Sequence, residues 1–181
     1  MKQLCQRGLY RTETRDYMLC LKIIDVKKFM SKLLVQTVFD NFLLSELDVV
    51  TFNAFHINGK INKSWYDTDE LDTEEEYAKW HQVKPYAFQI IKGNKVPASM
   101  KVVFYLSREN KLRLIQRVGG DWKENDVSQF CLNMKYENGE MFLTTGVAYS
   151  IFTMDHTMQE QWDYDLKKYL KYYEIEYEEI A

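Results

Sequence analysis

Two alternating runs, residues 130–136 and 140–149, flank Asn138-Gly139, and this pattern constrains the fold more than any other feature of the chain. A two-residue hairpin loop of type I′ needs positive φ at both central residues, which Asn and Gly reach at least cost. The chain is therefore expected to build its sheet by antiparallel pairing. A second pair, Asn58-Gly59, follows the β-rich run 42–57, and the same rule predicts residues 60–66 as its returning strand.

Around these turns the apolar period switches between two and 3.6. Residues 18–24 read as a buried strand, after which Asp25 offers an N-cap to a helix through Val26, Phe29, Met30, Leu33 and Leu34. Val83, Tyr86, Ala87, Ile90 and Ile91 predict a second helix, with Pro85 in its first turn and Gly93 closing it in the left-handed region. Residues 99–107 and 112–118 read as two neighbouring strands, the second stopped by Gly119-Gly120. Asp155 opens a C-terminal helix through Met158, Trp162, Leu166, Tyr169 and Leu170, and Lys167, Lys168 and Lys171 fall late, where cations complement the helix dipole. Residues 174–180 alternate acids with Ile175, Tyr177 and Ile180, as an edge strand guarded by charge does.

The expected fold class is α+β: a largely antiparallel sheet of about seven to eight strands packed against two or three amphipathic helices. At 181 residues, with 46% hydrophobic residues and only two prolines, residues 18–181 suffice for one domain with a sizeable core. Its segments 18–66 and 79–150 echo one another weakly, each a helix joined to strands near an Asn-Gly. Residues 1–17 lack either period and are expected to be a loosely held extension, since Met18 can itself start translation. Cys5, Cys20 and Cys131 are too far apart for a C-x-x-C pair, and no run approaches the ~18 apolar residues that span a bilayer. A cytoplasmic protein without membrane contact is the expectation.

Charge is sorted along the chain. Residues 67–76 hold seven acids and no base, whereas from Tyr77 to Arg108 stand Lys79, Lys84, Lys92, Lys95, Lys101 and Arg108 without one carboxylate. With Lys27, Lys28 and Lys32 on the outer side of the first helix, the expectation is a basic helical face formed by Lys27, Lys28, Lys32, Lys84, Lys92 and Lys95, suited to an anionic partner.

Catalytic, cofactor and metal motifs are absent from the sequence. His56, His81 and His156 have no second ligand at metal spacing. Asp67, Asp69 and Asp72 lack the glycine and the spaced glutamate of a calcium loop. Ser45 and Ser150 lie outside any G-x-S-x-G, and residues 91–95 fall where a helix exposes carbonyls, which repel phosphate. No catalytic, cofactor-binding or metal residue is assigned, and no cofactor is expected. The clusters Trp65-Tyr66, Trp80, Trp122 and Tyr169-Tyr172-Tyr173-Tyr177 read as packing aromatics, with base stacking as the sharper alternative.

Phe39-Asp40-Asn41-Phe42-Leu43-Leu44, Thr51-Phe52-Asn53-Ala54-Phe55-His56-Ile57-Asn58-Gly59, Ile90-Ile91-Lys92-Gly93 and Leu143-Thr144-Thr145-Gly146 resemble an uncharacterised domain-of-unknown-function family of small proteins from anaerobic Gram-positive bacteria. The resemblance implies a bacterial, cytoplasmic protein and brings no activity. Residues 18–66 are also similar in arrangement to one unit of the sliding-clamp fold, an analogy that carries no function. The leading expectation is a non-catalytic binding or scaffold protein with a protein or nucleic-acid partner. Its rivals are a clamp-like nucleic-acid protein using the lysine face and an enzyme whose site joins distant residues, for example His56 with an acid.

Overall fold

The computed structural model describes residues 18–66, 74–93 and 95–180; the expectations for residues 1–17 and for the acids of 67–73 lie outside them. Among the described residues seven strands and four α-helices follow one another as β1 (Cys20–Ile23), α1 (Val26–Leu34), β2 (Leu43–Val50), β3 (Ala54–Asn58), α2 (Trp80–Ile91), β4 (Ser99–Tyr105), α3 (Arg108–Val118), β5 (Val127–Glu137), β6 (Glu140–Tyr149), α4 (Thr157–Tyr172) and β7 (Tyr177–Glu179). The strands form one antiparallel sheet in the order β3-β2-β4-β5-β6-β1-β7. The α+β class holds.

Alternation gives the sheet two unlike faces. The register aligns Ile57, Leu47, Val102, Met134, Leu143 and Leu21 across six strands on one face. Leu47, Val102, Met134, Leu143 and Leu21 are at most 1% exposed and belong to one core cluster with buried residues of all four helices. On the other face the adjacent row reads His56, Asp48, Lys101, Lys135, Phe142 and Lys22, so this side is solvated, as antiparallel sheets allow.

The Asn138-Gly139 hairpin forms as expected, with φ of 54° and 81° at its two central residues. The Asn58-Gly59 hairpin does not. β2 turns back one strand earlier, through Thr51-Phe52-Asn53, where Asn53 Oδ1 accepts from Ala54 N–H at 2.9 Å and the Asn53 carbonyl from Thr51 N–H at 2.9 Å. Residues 60–66 are consequently not a returning strand; they hold a single bridge from Lys60 to Tyr77 and a 3-10 turn, Lys63–Trp65. Gly59 serves another need. A Cβ there would lie 1.8 Å from the Leu44 carbonyl oxygen, at a junction where Ala78 hydrogen-bonds to both Leu44 and Gly59 and Gly59 N–H donates to Ser45.

The expected strand 112–118 is helical. Ser107 caps α3 by accepting from Asn110 N–H, Leu114 and Ile115 are buried, and Gly119 ends it at φ 70°. Two corrections concern α2. It begins at Trp80, three residues before Val83, so Pro85 lies inside the helix and not in its first turn. Gly93 is also not left-handed, since the positive-φ glycines among the described residues are Gly119, Gly120 and Gly139. Asp155 accepts from Thr157 N–H at 2.8 Å, while His156 holds the N-cap position of α4. β7 forms the predicted charged edge.

Candidate functional site

Charge sorted along the chain is re-paired in space. Lys101 pairs with Glu46, Arg108 with both Glu74 and Glu124, and Lys84 with Asp40. Glu76 of the acidic block meets Lys60 at 2.8 Å, which pulls its carboxyl below the usual range, chiefly through the hydrogen bond from Lys60. Of the six lysines expected on one basic face, Lys32 is buried and the Lys84 side chain keeps 12% exposure inside its ion pair. Lys27, Lys28, Lys92 and Lys95 are exposed. Lys28 shares a small cleft with Asp25, Glu174 and Glu176, so carboxylates flank it.

The histidines are placed apart. His56 Nδ1 lies 2.6 Å from Asp48 Oδ1, but the side chains are 58% and 43% exposed on the solvated sheet face. His81 Nδ1 approaches the Asp40 carbonyl at 3.3 Å, and His156 begins α4. Among the described residues no three His, Cys, Asp or Glu side chains converge as metal ligands.

The arrangement with the most to offer chemically is a cleft of about 540 Å³ between the α1–β2 loop, α3 and α4. Its apolar walls are Val38 and Phe42 from the loop, Leu106 and Leu114 around α3, and Trp162 and Leu166 from α4. Helical spacing places Asn110, Arg113, Leu114 and Arg117 on one side of α3, and Trp162, Asp165, Leu166, Tyr169 and Tyr173 on the facing side of α4. Thr37 and Asn41 complete the polar lining.

This geometry is held from several sides. Trp80 Nε1 donates to the Leu33 carbonyl at 2.7 Å, and Lys84 Nζ donates to the Gln36 carbonyl at 2.9 Å besides pairing with Asp40. From α4 the Tyr169 hydroxyl donates to the Val38 carbonyl, while its ring meets Phe42 edge-on at 5.7 Å and Tyr173 at 4.8 Å. Burial raises the Tyr169 phenol well above its ordinary pKa. The loop wall is thus fastened to α2 and α4, and α2 in turn to α1.

Two arginines and one aspartate carry the charge of the cleft lining among the described residues. Arg117 pairs with Asp165, whose Oδ1 also accepts from Gln161 at 3.0 Å. Arg113 meets Glu109, outside the cleft lining, at 2.5 Å, with both side chains about 70% exposed. An exposed i,i+4 pair of this kind contributes only about 0.3–0.5 kcal/mol, so an anionic group entering the cleft can displace Glu109 from Arg113. Tyr169 and Tyr173 belong to an aromatic cluster legible in the sequence, whereas Arg113, Arg117 and Asp165 stand in no sequence motif. Reading 112–118 as a strand places Arg113 and Arg117 on one face but separates both from Asn110 and Leu114; Ser107 and Gly119, as caps eleven residues of helix apart, are the signal that recovers them.

No curated protein and no solved structure matches the chain. A family model does, over residues 32–178, a span that contains the whole lining of the cleft. The chain belongs to this family of unknown function, DUF5721.

Proposed function

We propose that this protein is a non-catalytic binding protein whose site is the cleft between the α1–β2 loop, α3 and α4, and that its ligand is a small organic anion with an apolar or aromatic body. One observation carries the reading: a pre-formed hollow of about 540 Å³ joins an apolar, aromatic wall to two arginines and a single carboxylate that is already paired. Ligand sites typically combine a concave apolar surface of roughly 300–1,000 Å³ with a few placed polar groups. The lining offers recognition more than chemistry, since among the described residues it contains no histidine, cysteine, serine or lysine and its one carboxylate is engaged by Arg117. The lysine face supports a nucleic-acid role less well, because Lys32 is buried and Lys84 is committed to Asp40. We place this activity in the bacterial cytoplasm, following the family resemblance.

Isothermal titration with a panel of aryl carboxylates, aryl phosphates and acyl phosphates tests the proposal. At least one class is expected to saturate. Arg113→Ala should then weaken binding about 10- to 100-fold, the worth of a hydrogen bond to a charged group. Glu109→Gln should tighten it. Absence of binding by every class at about 1 mM, or affinity indifferent to Arg113→Ala, refutes the reading.

A further inference from the structure

β3 is one edge of the sheet, and its ladder with β2 fixes which of its backbone groups are already used. Thr51 N–H donates to the Asn53 carbonyl and Gly59 N–H to the Ser45 carbonyl. With the register Val49↔Phe55 and Leu47↔Ile57, antiparallel alternation directs the amides of Phe55 and Ile57 toward β2. The backbone groups of Ala54, His56 and Asn58 point the other way, and of these the Ala54 N–H is already taken by Asn53 Oδ1 at 2.9 Å. Edge strands are ordinarily protected by charge, proline, a bulge or a cover. β7 at the far edge follows that rule, with Glu178 and a Lys167–Glu179 pair at 2.8 Å. β3 reads Ala-Phe-His-Ile-Asn, with neither an acid, a lysine nor a proline, and the adjacent Phe52 is 91% exposed.

We infer that β3 is the seam of a two-fold dimer, pairing antiparallel with β3 of a second copy about His56 and joining two seven-stranded sheets into one. The strand is complementary to itself in this register. His56 opposite His56 lets the two strands exchange both bonds at the centre, and Ala54 opposite Asn58 sets the Asn58 N–H against the Ala54 carbonyl, the Ala54 N–H staying with Asn53. On the helix-covered face Phe55 then meets Ile57 of the second copy, twice by symmetry, and aromatic–β-branched pairs stabilise antiparallel ladders. A slip of one residue would present the spent amides of Phe55 and Ile57 to the seam, so the alternation excludes it.

Sedimentation equilibrium of the full chain tests this, since the monomer mass is 21.8 kDa. The mass should rise toward twice that value with concentration, and exchange of the His56 and Asn58 amides should slow in parallel. His56→Pro removes an N–H that points away from β2, so it should raise the dissociation constant about tenfold or more while the circular dichroism spectrum is kept. If that variant fails to fold, His56→Lys leaves the backbone intact, sets like charges opposite one another and should give the same shift. A monomer persisting to about 1 mM, or a dimer indifferent to the variant that folds, overturns the proposal. Its failure leaves the cleft untouched, because β3 contributes none of that lining.

Discussion

Gly59→Ala is the most searching single substitution in this chain, because the two accounts of Gly59 predict different costs. If Gly59 were a hairpin residue, adding a methyl group would cost about 1 kcal/mol of left-handed strain. The structure gives it no positive φ and instead puts the new Cβ 1.8 Å from the Leu44 oxygen, 2.6 Å from the Leu44 carbonyl carbon and 3.0 Å from the Leu44 Cβ. Leu44 is fully buried and cannot retreat. Relief requires the strands to part by roughly one ångström, which disrupts three backbone hydrogen bonds at one junction: Gly59 N–H to Ser45 at 2.9 Å, Ala78 N–H to Gly59 at 2.8 Å and Leu44 N–H to Ala78 at 2.8 Å. At about 1 kcal/mol net for each, with an added penalty for any group left buried and unpaired, the loss is about 3–5 kcal/mol. That is a large part of a total stability of about 5–15 kcal/mol. Urea unfolding should show the midpoint falling by about 1–2 M, with Gly139→Ala (φ 81°, open space) costing about 1 kcal/mol as the comparison. A Gly59→Ala loss equal to or below that of Gly139→Ala refutes the steric argument.

Trp80→Phe strands the buried Leu33 carbonyl that the indole now satisfies at 2.7 Å, and should cost about 1–3 kcal/mol in a urea titration. Asp163 is held above the usual carboxylate range by burial, against hydrogen bonds from Thr145 and Gln159. Its folded state therefore binds the proton more tightly than the unfolded chain does. The charged group weakens the fold at neutral pH, and the penalty disappears as pH falls through the raised folded value toward the unfolded value of about 3.9. Asp163→Asn keeps the acceptor oxygen, so it should exceed the parent in stability at pH 7, with the gap closing near pH 4; a gap that widens on acidification refutes this. Burial pushes the Cys131 thiol up to about 11. At pH 8 the thiolate fraction then falls from about a quarter to about a thousandth, partly offset by greater nucleophilicity, and alkylation monitored by mass spectrometry should run about twentyfold slower than for an unperturbed thiol.

Which elements the sequence discloses follows from where their determinants sit. Asn138-Gly139 and its two alternating arms are local, and the hairpin forms as read. Asn58-Gly59 is the same dipeptide, but the preceding run already reverses at Asn53, a turn closed by a side-chain amide and without glycine. The α3 segment is ambiguous by period: Leu112 and Leu114 alternate, whereas Leu114, Ile115 and Val118 repeat as a helix does, and the capping residues decide. Lys84 reads as a solvent-facing cation, and only the fold brings Asp40 to it from 44 residues away. The cleft is legible in none of its parts alone, because its lining comes from residues 37–42, 106–117 and 162–173, and their convergence is a property of packing.

The position of β1 has a consequence for the order of synthesis. Cys20–Ile23 is made before the other described strands, yet its neighbours in the sheet are residues 142–144 on one side and 177–179 on the other. At roughly 5–20 residues per second, an apolar strand waits on the order of ten seconds for partners more than a hundred residues downstream. The nascent chain thus assembles its central strands before β1 can dock, and deleting residues 177–179 would leave β1 flanked on one side.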